Sequence, residues 1–264
     1  MPLALKNSII NKLILLVVIS WIILAIIFGY LDLEISKAIV NEDSLWGNFG
    51  KDFGEPPGYG LIAISLSILI GSYNNEIKKQ KVAAYVIIII GIVLFVFGFV
   101  LSEKILIIDG VSIFLPLILF VIFTYKKDWK RYQKISGVIV ILAIINPLIF
   151  VQITKVLTGR IRFKDLAPNY SNYTPWFLPP GPSGNYSFPS GHTAMAFMFL
   201  PLFILVKNYN WKDPKKIILS ILIIGWGLFV GLSRIIIGAH YASDVLFSAE
   251  VASLTTLLLY KKFY

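Results

Sequence analysis

Cysteine is absent from this chain of 264 residues, and histidine occurs only twice, at His192 and His240. The first absence excludes disulfides, Cys-ligated zinc and thiol chemistry together. The second excludes a His-rich metal site, though not a carboxylate-rich one. Charge is scarce too. Asp, Glu, Lys and Arg make up 14% of the residues, against about 25% in soluble domains. That disfavours a soluble enzyme, a disordered chain and a collagen-like repeat. No soluble linker, low-complexity tract or internal repeat stands out.

The chain is instead rich in apolar runs: 57% of it is hydrophobic and its mean hydropathy is +0.80. Eight apolar segments lie at about 13–30, 58–73, 82–101, 110–125, 135–154, 191–206, 217–233 and 243–260. A spanning helix takes about 20 residues, so eight would use about 160. The remaining roughly 100 residues are too few for a second soluble domain of ordinary size. The expectation is an all-α, polytopic transmembrane helical bundle, with 1–264 as a single integral membrane domain. The weakest segments are 58–73 and 110–125, the latter holding Pro116 and preceded by Asp109. No small-x-small cleavage site follows the first segment, which reads as a retained helix and not a cleaved signal.

The net charge of +10 is explained by topology. Sixteen of the 24 basic residues fall in the N-terminus, 74–81, 126–134, 207–216 and 261–264, all on one side if there are eight spans. Basic residues mark the cytoplasmic side. This predicts a multi-pass plasma-membrane protein with both termini cytoplasmic and with long loops 31–57 and 155–190 outside. No nucleic-acid partner is needed. Loop 31–57 is acidic. Loop 163–189 is rich in Pro, Tyr and Asn and carries Trp176 and Phe177, which suit either a lip over a site or an interfacial anchor.

Three stretches gather polar residues at the outer face. In Lys155-Val-Leu-Thr-Gly-Arg160-Ile-Arg162-Phe163, Lys155 and Arg162 are seven apart, which on a helix puts them on one face. Arg offers a fork of donors and Lys a movable charge, both suited to phosphate. In Ser187-Phe-Pro189-Ser190-Gly191-His192-Thr193, Ser190 is an N-cap candidate. The N–H groups that follow would favour an anion; Gly191 admits its close approach, and His192 could donate a proton. In Ser233-Arg234-Ile-Ile-Ile-Gly-Ala-His240-Tyr-Ala-Ser-Asp244, the i,i+4 spacing lets Asp244 reach the His240 ring. A carboxylate on one ring nitrogen leaves the other free to attack.

In these motifs the sequence resembles the type 2 phosphatidic acid phosphatase superfamily. That signature is Lys, six residues, Arg-Pro; then Pro-Ser-Gly-His; then Ser-Arg, five residues, His, three residues, Asp. It maps onto Lys155 to Arg162, Pro189 to His192, and Ser233-Arg234 to His240 and Asp244, with every spacing kept. Phe163 stands where the family has Pro, which is expected to change only how the chain leaves the helix. The motif-bearing core covers about 150–250. The resemblance implies a six-helix core, with two of the eight segments, 82–101 and 110–125, additional.

The resemblance further implies a lipid phosphate or pyrophosphate phosphatase acting at the outer membrane face through a phosphohistidine, with no metal and no cofactor. His240 would be the nucleophile, oriented by Asp244. His192 would be the acid and then the base. Lys155, Arg162, Ser190, Gly191 and Arg234 would bind the phosphoryl group; Arg160 receives no role from the motif. Implied substrates are undecaprenyl pyrophosphate, phosphatidylglycerol phosphate and phosphatidic acid, reached from among the membrane lipids. A lipid phosphotransferase would use the same residues. A transporter reading rests on Glu250 in the last span, whose plainer role is to partner a hydroxyl or amide. A non-enzymatic scaffold is disfavoured because every catalytic side chain of the motif is present.

Overall fold

The computed structural model describes residues 3–207, 209–210 and 212–264. Side-chain description begins at Asn7, so the Lys6 charge lies outside it. Among the described residues there are helices and no strands. Seven helical stretches are long and apolar enough to cross a membrane: Asn7–Ile39, Leu45–Gly71, Lys79–Leu101, Lys104–Thr124, Trp129–Asp165, Pro214–Ile236 and Ala242–Phe263. A shorter apolar stretch, Gly191–Val206, makes the eighth. The chain is an all-α polytopic helical protein, and the eight segments correspond one to one with those read from the sequence.

The chain divides into two compact units: the described residues up to Gly54 together with Ile144–Tyr264, and Glu55–Ala143. The second unit holds α3 (Pro56–Gly71), α4 (Val82–Leu101), α5 (Lys104–Thr124) and α6 (Gln133–Ala143). Asp109 does not precede its helix but lies within α5, which also carries Pro116 through its interior. The core here is Ala63, Ile68, Ala84, Leu117, Val121 and Trp129. Gln80 binds the Trp129 N–H at 2.8 Å and the Asp128 carboxylate at 2.7 Å. Lys81 Nζ sits 4.1 Å from the Trp129 ring centre.

The first unit joins α1 (Leu3–Ile39) and α2 (Leu45–Phe53) to the C-terminal elements. The expected loop 31–57 is therefore largely helical. α1 runs about two turns beyond its apolar run and buries its acid Asp32, and Ser44 caps α2 by accepting the Gly47 N–H. A π-helical turn, Ile144–Phe150, follows α6. Pro147 within it has no N–H to donate, and a widened turn accommodates that loss. The buried Asn146 side chain donates to the Ser248 carbonyl at 3.0 Å.

α7 (Val151–Thr158) then ends at Gly159, whose φ of +55° is left-handed. Glycine takes that conformation without the Cβ clash other residues meet. A Cβ there would also overlap the Gly181 carbonyl. After the irregular stretch 159–190 come α8 (Gly191–Ala196), a 3-10 turn (Phe197–Leu202), α9 (Phe203–Val206), α10 (Pro214–Ile236) and α11 (Ala242–Phe263). α1 packs along α11, with the Trp21 and Phe247 rings 5.3 Å apart.

Gly159→Ala is expected to cost more than about 1 kcal/mol from the left-handed backbone alone, with the overlap at Gly181 added. A thermal melt in detergent should show a lower Tm. An unchanged Tm would mean that the α7 terminus does not need this geometry.

Candidate active site

The end of α7 decides where the basic motif residues stand. Lys155 lies in its last turn, but Arg162 follows the Gly159 cap in extended backbone, φ −71° and ψ 151°. The expected shared helix face does not exist, because the left-handed glycine stops the helix between them. Arg162 is half-buried, and its Nε is buried with no hydrogen-bond partner.

Three backbone ties draw the motif segments together. Ser187 N–H donates to the Arg160 carbonyl at 2.9 Å, Lys164 N–H to the Gly238 carbonyl at 3.1 Å, and Ser190 N–H to the Asp244 carbonyl at 3.1 Å. Gly238, at φ +65°, lets the chain turn back after α10. The Ala239 and His240 N–H groups then both reach the Arg234 carbonyl, at 3.1 and 3.2 Å. This sets His240 just before α11 and not on its face.

Ser190 caps α8 as the sequence suggests, accepting the Thr193 N–H at 3.3 Å and the Thr193 hydroxyl at 2.9 Å. Its carbonyl receives the Ser248 hydroxyl at 2.8 Å. Ser190 and Gly191 are both buried. His192 is half-buried, with Nε2 3.1 Å from the Lys51 carbonyl of α2.

Asp244 lies 3.5 Å from His240 Nδ1, but that nitrogen is held more closely by the Ser187 carbonyl, at 2.6 Å. A carbonyl only accepts, so Nδ1 carries the hydrogen and Nε2 keeps the lone pair. The expected tautomer is present, with Ser187 as its main anchor. The Ser187 hydroxyl in turn donates to Asp244 Oδ2 at 2.6 Å. The same oxygen accepts the Tyr241 N–H at 2.9 Å, so Asp244 also ties down the first turn of α11.

Arg160, given no role by the motif, is the hub of the site. Its Nη1 donates to Asp244 Oδ1 at 2.6 Å and to Ser243 Oγ at 2.8 Å. Nη2 reaches Asp32 Oδ2 at 2.9 Å, and Nε the Thr174 carbonyl at 2.9 Å. Its guanidinium lies 3.9 Å from the Tyr241 ring centre. Asp32 Oδ1 accepts the Ser243 N–H at 3.0 Å, and Oδ2 accepts the Ser243 hydroxyl. Sequence reasoning missed Asp32, Ser187 and Ser243. A signal existed for Arg160, a further basic residue on the side where basics are few. None existed for Asp32, which reads as part of an acidic loop.

Burial pushes the His240 imidazole down to about 4. Asp244 opposes that shift, while Arg234 and Lys155 reinforce it. At neutral pH His240 is an uncharged base with Nε2 available.

Residues 136–264 match the family model described as PAP2 superfamily. Over 140 residues the chain is 28% identical to phosphatidylglycerophosphatase B of Bacillus subtilis, covering 51% of this chain and 60% of that protein. It is 35% identical over 79 residues to the Haemophilus influenzae protein of the same name, covering 28% and 32%. It is 41% identical over 76 residues to lipid A 1-phosphatase of Porphyromonas gingivalis, covering 29% and 16%. The matched stretches span less than two thirds of each relative's length. No solved structure gives a significant match. Motif spacing, the meeting of the motifs around His240 and the family match agree: residues 136–264 are similar to the PAP2 superfamily, the type 2 phosphatidic acid phosphatases.

Proposed function

We propose that this protein is a lipid phosphate phosphatase working through a phosphohistidine on His240. The observation that carries this reading is the His240 ring. Its Nδ1–H is held by the Ser187 carbonyl at 2.6 Å, and Arg234 and Lys155 both act to keep the ring unprotonated. A buried neutral imidazole under the influence of two cations supports the role of nucleophile toward a phosphate.

Nε2 attacks phosphorus, an N–P bond forms, and the bond from phosphorus to the lipid oxygen breaks. His192 hands its Nε2 proton, now shared with the Lys51 carbonyl, to the departing oxygen. Water then attacks the phosphohistidine as His192 takes a proton back. The N–P bond breaks, releasing phosphate and restoring His240. Phosphorylation makes the His240 ring cationic, and Asp244 at 3.5 Å stabilises that charge. Lys155, Arg162 and Arg234 offset the charge of the phosphoryl oxygens. Three cations suffice for this, so the scheme uses no metal. The buried, unpartnered Arg162 Nε suits such an anion.

The substrate is an amphiphile carrying a phosphate or pyrophosphate headgroup. The relatives named for phosphatidylglycerophosphate and lipid A support that class. Phosphatidylglycerol phosphate, phosphatidic acid and undecaprenyl pyrophosphate are the candidates. The basic-residue distribution supports a site on the extracytoplasmic side with both termini in the cytoplasm.

Purified protein in EDTA should release inorganic phosphate from at least one of these three lipids. His240→Ala should lower the rate by at least about a thousandfold, and Arg234→Ala by about a hundredfold or more. No release from any of the three by folded protein would sink the proposal.

With only two histidines, nitrogen-15 NMR of labelled imidazoles can follow each one. The His240 signal should report a neutral Nδ1–H tautomer at pH 7 and protonate only as the pH falls toward about 4. Protonation occupies Nε2, so nucleophilic competence is held above that range and lost on descending through it. A His240 signal that titrates near the ordinary 6.5 would contradict the site described here.

A further inference from the structure

Arginine commonly grips a carboxylate with both arms of its fork, one on each oxygen. Arg160 does not. Nη1 takes Asp244 Oδ1 at 2.6 Å and Nη2 takes Asp32 Oδ2 at 2.9 Å, so each carboxylate is held by one arm. The oxygen left over on Asp244, Oδ2, is the one that serves the nucleophile. It accepts the Ser187 hydroxyl at 2.6 Å and the Tyr241 N–H at 2.9 Å, and it lies 3.5 Å from His240 Nδ1. Asp32 is itself firmly placed. Ala25, Gly29 and Asp32 stand at i, i+4 and i+7, along one face of α1. That face fits the irregular stretch after α7. The Trp176 indole donates to the Ala25 carbonyl at 2.9 Å, and a Cβ on Gly29 would meet Phe177 Cε1 and Trp176 Nε1, both at 2.9 Å. The same stretch gives its Thr174 carbonyl to Arg160 Nε at 2.9 Å. On its other side Asp32 accepts the Ser243 N–H at 3.0 Å and the Ser243 hydroxyl, which ties it to the first turn of α11.

We infer that Asp32 is a positioning residue for the His240 nucleophile: by occupying one arm of Arg160 it keeps the guanidinium off Asp244 Oδ2 and leaves that oxygen to Ser187 and the ring. The inference rests on the lipid phosphatase reading and adds to it a residue outside the family-matched stretch 136–264. The physics is competition for the fork. A guanidinium is a rigid plane whose paired donors match the two oxygens of one carboxylate. With the Asp32 charge removed, the freed arm turns to the carboxylate that Arg160 already touches, Asp244, and contends with the Ser187 hydroxyl for Oδ2. Ser187 then loses the hydrogen bond that fixes it, and its carbonyl is the anchor of the His240 Nδ1–H at 2.6 Å. Neutralising Arg160 would take only one carboxylate, gripped by both arms. Two buried carboxylates on one guanidinium exceed that need, and the excess is what holds Asp244 to a single-point contact.

The test uses the full chain and whichever of phosphatidic acid, phosphatidylglycerol phosphate and undecaprenyl pyrophosphate the wild type hydrolyses. Asp32→Asn keeps the shape and removes the charge. Its kcat should fall by about ten- to a hundredfold, as for a reacting group displaced by about 1 Å, with KM little changed. Ser187→Ala removes the hydroxyl and keeps the carbonyl. Both changes act through Asp244 Oδ2, so the double variant should lose far less than the product of the two single losses. The full product, or an unchanged kcat in Asp32→Asn, would overturn the inference in variants that melt like wild type. Nitrogen-15 NMR of His240 gives a readout independent of turnover. Asp32→Asn should add an Nε2–H tautomer to the Nδ1–H form, which packing lost elsewhere would not do; a spectrum identical to wild type would also overturn the inference. If Asp32→Asn failed to fold, Ser243→Ala takes its place. It keeps every charge and removes the hydroxyl shared by Asp32 Oδ2 and Arg160 Nη1. It should mix the tautomers and lower kcat about threefold or more, and no change in either would count against Asp32 in the same way. If wild type released no phosphate from any lipid, the phosphatase reading would fail, while the tautomer would still report whether Asp32 positions the ring.

Discussion

Everything at the candidate site hangs on one guanidinium between two carboxylates. Arg160, Asp32 and Asp244 are all withdrawn from solvent, which costs several kcal/mol per ion in rough terms. The arrangement is tolerable because nearly every valence is filled. Four of the five Arg160 N–H donors find acceptors. Each Asp32 and Asp244 oxygen accepts at least one hydrogen bond. The network binds the end of α1, the stretch after α7 and the first turn of α11 to one point. Ser187 extends it to the chemistry: its hydroxyl holds Asp244 and its carbonyl holds the His240 ring. A shift in Arg160 would thus reach His240 through Asp244 and Ser187.

What could be read from the sequence was what is local. Eight apolar segments became eight helical stretches, and Ser190 caps α8 because a cap depends on residues only three apart. The motif spacings marked residues that the fold gathers. Where the reading failed, the deciding fact was either a single dihedral or a distant partner. Gly159 breaks the helix between Lys155 and Arg162, and a spacing of seven carries no trace of that break. Asp32 lies 128 residues before Arg160. From the sequence it looked like one acid of an exposed loop, and only its partner makes its burial possible.

The unit that holds the motifs is discontinuous, combining α1 and α2 with everything after Ile144. α4 and α5, the two segments thought additional to the family core, fall in the other unit and outside residues 136–264. That unit has its own buried core around Trp129. The first unit, by contrast, depends on its N-terminal helices for a charge, Asp32, and for a hydrogen-bond acceptor on His192, the Lys51 carbonyl. The family match begins after both, so the C-terminal half alone would leave Arg160 with one carboxylate and His192 without that carbonyl.

Burial keeps the His240 ring neutral, and Lys155 and Arg234 add to that by repelling a proton. The same cations would hold the phosphoryl group. Before a phosphate docks, they suppress protonation of the nucleophile. A docked phosphate would offset their charge and so make the Nε2 lone pair more nucleophilic before the N–P bond forms. In the proposed scheme the ring would be cationic after transfer, and Asp244, held in place by Arg160, would face that charge at 3.5 Å. Under the proposed scheme the site would oppose a proton on His240 and yet support a phosphoryl group there, although both would make the ring positive. The difference is that the phosphoryl group brings its own negative charge to the cations.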